Sequence, residues 1–388
     1  MAQTSRPKHA GRNIRSEERT KLWVRAGGRC EFHGCNKYLL EDELTSVEVS
    51  LEEFAHIAGQ SIRGPRGVST VPLSERNKAE NLMLLCSECH HKRYDKAQLL
   101  QNYTEKRLRE DKRLHENRIR TQTNLGPEYA TLAIRMVANV RGTSTAISRE
   151  TIRKAVFGED RRYPEFLGTS YSVDMDLTGL PAESNAGYWR AGRELIDELF
   201  DTQIATAMRN HRLKHRSVFA FARIPLLIHL GARLADKCPT TLYQRHRDRA
   251  DEWSWPSKAS TVMFQCSTVS KSRDKSKVAV VLSVSGRVPA SAVSRGFNTY
   301  EISPVDVLPD TGVLHSVRDV LSFADEYRKL LRRIEADHRA APSISLFPAV
   351  PIPIAIVCGM ARLPGVTPPL RVYDKTDSGY ALTLEVKN

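Results

Sequence analysis

The chain has 388 residues, a formal net charge of +14 and 40% hydrophobic residues, with a mean hydropathy of −0.42. It therefore has room for two or three domains with cores of their own, and no window approaches the roughly 18–20 apolar residues that a membrane span needs. The first residues lack the apolar segment of a secretion signal, and four of the seven cysteines stand in metal-type pairs, so a reducing cytoplasm is the expected location.

Excess lysine and arginine point to a polyanionic partner, with plain solubility as the other reading. Residues 1–13 are basic and turn-rich and are expected to form a mobile arm. A helix is predicted over 15–25, with Ser16 as N-cap, Glu17 and Glu18 in the first turn and Leu22 and Trp23 facing inward. Gly27 and Gly28 close it and lead into Cys30-x4-Cys35. After an acidic stretch over 41–53 comes a short predicted strand, Phe54-Ala55-His56-Ile57, and then a loop rich in Gly, Ser, Pro and Arg. The second pair sits in Asn81-Leu82-Met83-Leu84-Leu85-Cys86-Ser87-Glu88-Cys89-His90-His91, where a helix is expected to begin and run past Tyr94. Residues 96–120 alternate charges with few apolar positions and predict a solvated connecting helix, with a domain boundary at Gly126-Pro127.

Short spacings suit cysteine knuckles, and four thiolates fill the tetrahedral shell of a structural zinc, which leaves the histidines spare. With His56, Asn81 and His90 in that order, the pattern resembles the HNH (ββα-metal) nucleases of the zinc-clamped kind. That resemblance implies an α+β zinc-clamped domain over 1–120 that cuts double-stranded DNA with a catalytic Mg²⁺ or Mn²⁺. His56 would be the general base, since a neutral imidazole accepts a proton near pH 7. Asn81 would hold the His56 backbone or ring, and His90 would bind the catalytic metal, with His91 and Asp95 as second candidates. Many such sites place Asp or His directly before the base. Here that residue is Ala55, so His91, Asp95, Glu53 or water would complete the shell. Arg63, Arg66, Lys92, Arg93 and Lys96 flank the site as phosphate contacts or as ordinary solvated charges, and none supplies a base-reading code.

Beyond 126 the texture changes. Segments 129–140 and 149–156 read as mixed or helical, 188–209 as an amphipathic helix, and 217–230 as apolar with Pro225 inside it. A strand over 240–245 precedes a polar turn. A second round follows, with strands over 278–283, 299–303, 344–347, 353–358 and 370–373 and a helix over 317–338. This alternation argues an α/β domain in two rounds, 125–260 and 261–388, without an exact sequence repeat.

Pro225-Leu226-Leu227-Ile228-His229-Leu230-Gly231, Tyr243-Gln244-Arg245-His246-Arg247 with Trp253-Ser254-Trp255, Ser283-Val284-Ser285-Gly286, and Phe347-Pro348-Ala349-Val350-Pro351 onward to Gly359 resemble the SAVED domain of CBASS anti-phage effectors. HNH followed by SAVED is the order of the HNH–SAVED effector nucleases. The resemblance implies two fused Rossmann-like halves over 125–388, a cyclic di- or trinucleotide activator, ligand-driven homo-oligomerisation, and DNA degradation that gives abortive infection. Nucleotides bind beyond the carboxyl ends of such strands. Trp253 and Trp255 are candidate stacking platforms, Arg247 and Ser285 candidate phosphate contacts, and Tyr188 with Trp189 a further aromatic pair; packing in a core is the competing reading. Two other functions fit parts of the pattern. One is a zinc-ribbon DNA-binding regulator that senses a ligand without cutting. The other is a restriction nuclease that reads modified DNA.

Overall fold

The computed structural model describes residues 14–42, 45–164, 173–183, 185, 187–210, 214–246, 253–256, 261–377 and 379–387. It divides into two compact units, Met1–Gly126 and Pro127–Asn388. The basic arm over 1–13 lies outside the described residues.

In the first unit, helix α1 spans Ser16–Ala26. Arg15 is its N-cap and makes no side-chain bond, so Ser16 lies one residue inside the helix and does not cap it. Gly27 ends the helix at φ 61, the left-handed conformation that costs glycine least. Strand β1 (Glu52–His56) pairs antiparallel with β2 (Leu82–Cys86), setting Ala55 opposite Met83 and His56 opposite Leu82. All of β2 is buried. Ser87–Cys89 continues as a wider π-type turn over His90–Tyr94, together α2. This segment stops at Tyr94, short of the predicted extension, because Asp95 has left helical backbone angles (φ −106, ψ 14).

Helix α3 spans Glu105–Thr123, capped by Thr104 Oγ1, which accepts from the Arg107 amide. Most of it is exposed, as expected of a solvated helix, but one face packs against its own unit. Leu108, Lys112 and His115 are buried, His115 Nε2 lies 3.0 Å from the Ala26 carbonyl, and Ile119 covers Gly27. Long amphipathic side chains supply much of that inner face, so a hydropathy pattern could not reveal it.

Among the described residues, the second unit holds two sheets. In the first, β3 (Ala130–Val137) pairs in parallel with β4 (Tyr163–Pro164), β5 (Val173–Asp176) and β6 (Arg216–Phe221), and β6 pairs in parallel with β7 (Thr240–Leu242). Segment 129–140 is thus mainly strand. Its central residues are buried on both faces, which erases the alternation that identifies an exposed strand. Helices α4 (Arg149–Asp160), α5 (Tyr188–Leu199), α6 (Ala205–Asn210) and α7 (Ile224–Leu234) belong to this half.

The second sheet contains β8 (Phe264–Ser270), β9 (Val278–Ser283), β10 (Asn298–Pro304), β11 (Ile344–Ala349), β12 (Leu370–Thr376) and β13 (Gly379–Val386), in the order β13-β12-β11-β9-β10-β8. Its four central strands are parallel and its two edges antiparallel. Helix α8 (Val317–Asp337) opens on a capping box between Ser316 and Asp319. Residues 353–358, predicted as a strand, lie in helix α9 (Ile352–Met360). A helix buried on all sides is apolar all round and reads like a buried strand. Both α7 and α9 carry proline in the first turn, where no amide hydrogen is needed. Among the described residues, no helix is long and apolar enough to cross a membrane.

Candidate active site

The cysteine pairs meet at one point in the first unit. Sulfur atoms of Cys30, Cys35, Cys86 and Cys89 all lie within 4.8 Å of one another, with Cys35 Sγ and Cys86 Sγ 3.9 Å apart. Ligands on a tetrahedral zinc at the usual 2.3 Å would be separated by about 3.8 Å. The donor set therefore fits a structural zinc. Burial pushes the Cys89 thiol up to about 12. At Cys86 burial acts in the same direction, but the Cys89 amide and neighbouring thiols outweigh it and leave that group below its ordinary value.

β1 presents His56, whose Nε2 lies 2.8 Å from Asn77 Oδ1. Burial holds the imidazole below its ordinary pKa, opposed by the Asn77 hydrogen bond and the Asp95 charge, so it is neutral near pH 7. Asn81, expected to hold either the His56 backbone or its ring, instead ties the residues around it. Its Oδ1 accepts from the Ala58 amide, and its Nδ2 donates to the Ala58 and Arg76 carbonyls. The ring partner is Asn77, a residue outside the motif. No spacing motif marks a loop amide 21 residues away from its partner. Tyr94 Oη donates to the His56 carbonyl at 3.0 Å, tying the end of α2 to β1.

Near the start of α2, Glu53, His90 and His91 bring ligand atoms within 4.8 Å of one another. His90 Nε2 also lies 3.5 Å from Asp95 Oδ2. A carboxylate with two imidazoles fits a divalent cation of the Mn²⁺ type more readily than Mg²⁺, which prefers oxygen.

The flanking cations divide into two kinds. Arg63, Lys92 and Arg93 are exposed. Arg66, expected on DNA, has a side chain only 8% exposed. Its guanidinium donates to the Ile57 and Tyr94 carbonyls and to Asp95 Oδ1 and lies 4.3 Å from the Tyr94 ring centre. It is a brace inside the fold.

In the second unit, Trp253 and Trp255 are 1% and 7% exposed and belong to the main core. Trp253 packs 5.7 Å from Phe219, and Trp255 Nε1 donates to the Leu242 carbonyl. Neither offers an open face for a base. Tyr188 is buried edge-on to Trp189. Ser285 stands at the end of β9, its amide donating to the Ala349 carbonyl. Arg247 lies outside the described residues. Arg223, not singled out from sequence, is the N-cap of α7. It bonds Glu183 and Asp374 and lies 5.8 Å from the Trp189 ring centre. A cavity of about 240 Å³ opens beside the carboxyl ends of β3 and β5, lined in part by Arg135, Thr145, Asp176 and Thr178.

No curated protein matches the chain. Among solved structures it is similar to the Acinetobacter baumannii Cap4 SAVED/CARF-domain containing receptor with the cyclic trinucleotide 3'3'3'-cAAA, at 13% identity and a TM-score of 0.44, over 75% of this chain and 61% of that one. The same receptor with 2'3'3'-cAAA gives 13% and 0.43, over 75% and 65%. The Moraxella osloensis Cap4 receptor gives 13% and 0.40, over 75% and 63%. The chain thus spans less than two thirds of the length of these receptors. Within the second unit, residues 196–386 match the model of the SAVED family, the "SMODS-associated and fused to various effectors sensor domain", and it is this stretch that carries the likeness to a SAVED domain.

Proposed function

We propose that the chain is a CBASS effector endonuclease. Its first unit hydrolyses double-stranded DNA, and its SAVED unit switches that activity on when it binds a cyclic di- or trinucleotide and changes oligomeric state. The observation that carries the catalytic half is a single hairpin-and-helix unit. It brings four cysteine sulfurs together and bears a half-buried His56, whose pKa burial holds below the ordinary value, together with the Glu53, His90 and His91 cluster. A regulator that only bound DNA would have no use for that cluster. The sensing half rests on the SAVED match, and the receptors similar in fold are described with cyclic trinucleotides.

His56 takes the proton from the attacking water. Glu53, His90 and His91 would hold a divalent cation, which when bound neutralises charge on the scissile phosphate and the leaving oxygen. Exposed Arg63, Lys92 and Arg93 attract the flanking phosphates without reading bases.

The test incubates the protein with linear DNA, Mn²⁺ or Mg²⁺, and a panel of cyclic di- and trinucleotides, with EDTA controls. Cleavage in one nucleotide lane, accompanied by a change in oligomer size, is expected. His56→Ala should abolish cutting while zinc content and folding persist. A His56→Ala protein that still cuts, or cutting that ignores every nucleotide and follows the DNA source, overturns the reading.

A further inference from the structure

The 2.8 Å contact between His56 Nε2 and Asn77 Oδ1 has a consequence for the ring as a whole. An amide oxygen accepts hydrogen bonds and cannot donate them, so the nitrogen facing it carries the proton. A neutral imidazole has one N–H, and Nδ1 is then left with its lone pair. Among the described residues, no other group hydrogen-bonds to the ring.

Asn77 is delivered from a fixed backbone. Its neighbour Arg76 is buried, with its guanidinium on the Val71 and Gly59 carbonyls. The Arg76 carbonyl accepts from Asn81 Nδ2 at 3.0 Å. The Lys78 amide donates to the Glu75 carbonyl. Asn81 thus holds both this loop and the Ala58 backbone beyond His56, without touching the ring. An uncharged amide also suits a base better than a carboxylate would here, because it orients the ring while raising its basicity less.

We infer that Asn77 is a positioning residue that holds His56 as the Nε2–H tautomer and leaves Nδ1 as the nitrogen that accepts the proton. The role of Nδ1 as base rests on the nuclease reading; the tautomer does not. In the step itself, a proton passes from water to Nδ1 and the hydroxide oxygen forms a bond to phosphorus. The bond to the leaving oxygen breaks, and its electron pair stays on that oxygen. The imidazolium so formed still donates from Nε2 to Asn77.

The experiment uses the full-length protein with ¹⁵N-labelled histidine, and His56 is assigned by difference against His56→Ala. Long-range ¹H–¹⁵N spectra near neutral pH should show His56 protonated at Nε2. Asn77→Ala should give a mixture of tautomers and lower kcat by roughly 10²-fold with KM for DNA little changed. Asn77→Asp should keep the Nε2–H form and move the lower limb of the pH–rate profile upward. If Asn77→Ala does not fold, the wild-type spectrum and Asn77→Asp decide the matter. A wild-type ring protonated at Nδ1, or an Asn77→Ala protein with unchanged tautomer and rate, overturns the inference. If the ring is Nε2–H yet His56→Ala still cuts, the nuclease assignment of His56 falls and the positioning stands. If the ring is Nδ1–H and His56→Ala is inactive, the reverse holds.

Discussion

Gly231 and Gly359 meet where α7 crosses α9, each against the other helix's backbone. A Cβ added to Gly231 would stand 2.0 Å from the Ile356 carbonyl oxygen, and one added to Gly359 would stand 2.0 Å from the Ile228 carbonyl oxygen. The two contacts are reciprocal and equally spaced along the chain. Each helix follows a strand containing a buried phenylalanine, Phe219 or Phe347, and each opens on Ile-Pro, at Ile224-Pro225 and Ile352-Pro353. The two halves of the second unit are thus joined through one element repeated in both, and the join admits no side chain at its centre.

Gly231→Ala and Gly359→Ala should each destabilise the second unit by about 3 kcal/mol or more, because the clash is with main chain and cannot be relieved by a rotamer change. Thermal unfolding of the full-length protein checks this. The transition of the second unit should fall by roughly 6–12 °C while that of the first unit stays in place. An unchanged midpoint would mean that the helices can separate without cost.

The crossing also marks what the sequence makes legible. Ile-Pro, then glycine, then Arg-Leu occurs at 224–234 and again at 352–363, but apolar runs this uniform carry no period, and the second reads as a strand although it folds as helix. Cysteine spacing was far more informative, since a tetrahedral metal restricts the distances between its ligands. Trp253 and Trp255 illustrate the opposite limit. Alternate spacing puts two rings on one side of an extended segment without saying whether that side faces solvent or core. For Arg66 and Asn77 the deciding partners are backbone carbonyls and a ring far away in sequence, and composition does not encode those.

Metal analysis of the purified protein should find one zinc per chain, held by Cys30, Cys35, Cys86 and Cys89. Cys86→Ser, or stripping with a strong chelator, should remove it, and the first unit should then lose its cooperative unfolding, because zinc binding and folding of so small a clamp are one event. Nucleotide binding by the second unit, measured by calorimetry, should persist. Zinc loss with a fully retained first transition would make the cluster a bystander.

His215 is buried between two hydroxyls. Its Nδ1 lies 2.8 Å from Thr131 Oγ1 and its Nε2 3.3 Å from Thr241 Oγ1, while Thr131 also contacts Ser217. Burial lowers its pKa to about 4, helped by Arg162 and opposed by Asp160. The unfolded chain accepts that proton near the ordinary value of about 6.5, so the contribution to stability is complete above that pH and is lost as the pH falls toward about 4. It amounts to about 3 kcal/mol. Urea unfolding should show wild type losing more stability than His215→Gln between about pH 7 and about pH 4, by a similar amount. Parallel losses would exclude this histidine as the source.

Arg63 and Arg66 should separate cleanly despite their proximity in sequence. Arg66→Ala removes three hydrogen bonds and a ring contact from a nearly buried guanidinium. It should cost about 2–4 kcal/mol in the first unit and reduce cleavage at every salt concentration. Arg63→Ala should leave the thermal midpoint unchanged, weaken DNA binding modestly, and lower the salt slope by about one. If Arg66→Ala altered only the salt slope, it would be a phosphate contact after all.

The catalytic metal proposed for the first unit would need a carboxylate that Ala55 cannot supply. Ala55 is buried opposite Met83 and offers no donor. His90 has two carboxylates near it: Glu53, grouped with it and His91, and Asp95, whose Oδ2 lies 3.5 Å from its Nε2. The two acids are not equivalent. Asp95 already gives Oδ1 to the Arg66 guanidinium at 3.0 Å, which offsets much of its charge, whereas the only ion-pair contact described for Glu53 is to His91 at 3.5 Å. A cation should therefore draw more from Glu53. Glu53→Ala should raise the Mn²⁺ concentration for half-maximal cleavage roughly tenfold or more, and Asp95→Ala should raise it less while lowering thermal stability through the loss of Arg66's partner. Mn²⁺ titration calorimetry on both variants, followed by cleavage at saturating metal, separates the effects. Unchanged Mn²⁺ affinity in Glu53→Ala together with a large loss in Asp95→Ala would move the ligand to Asp95 and leave Glu53 as a partner of His91 alone.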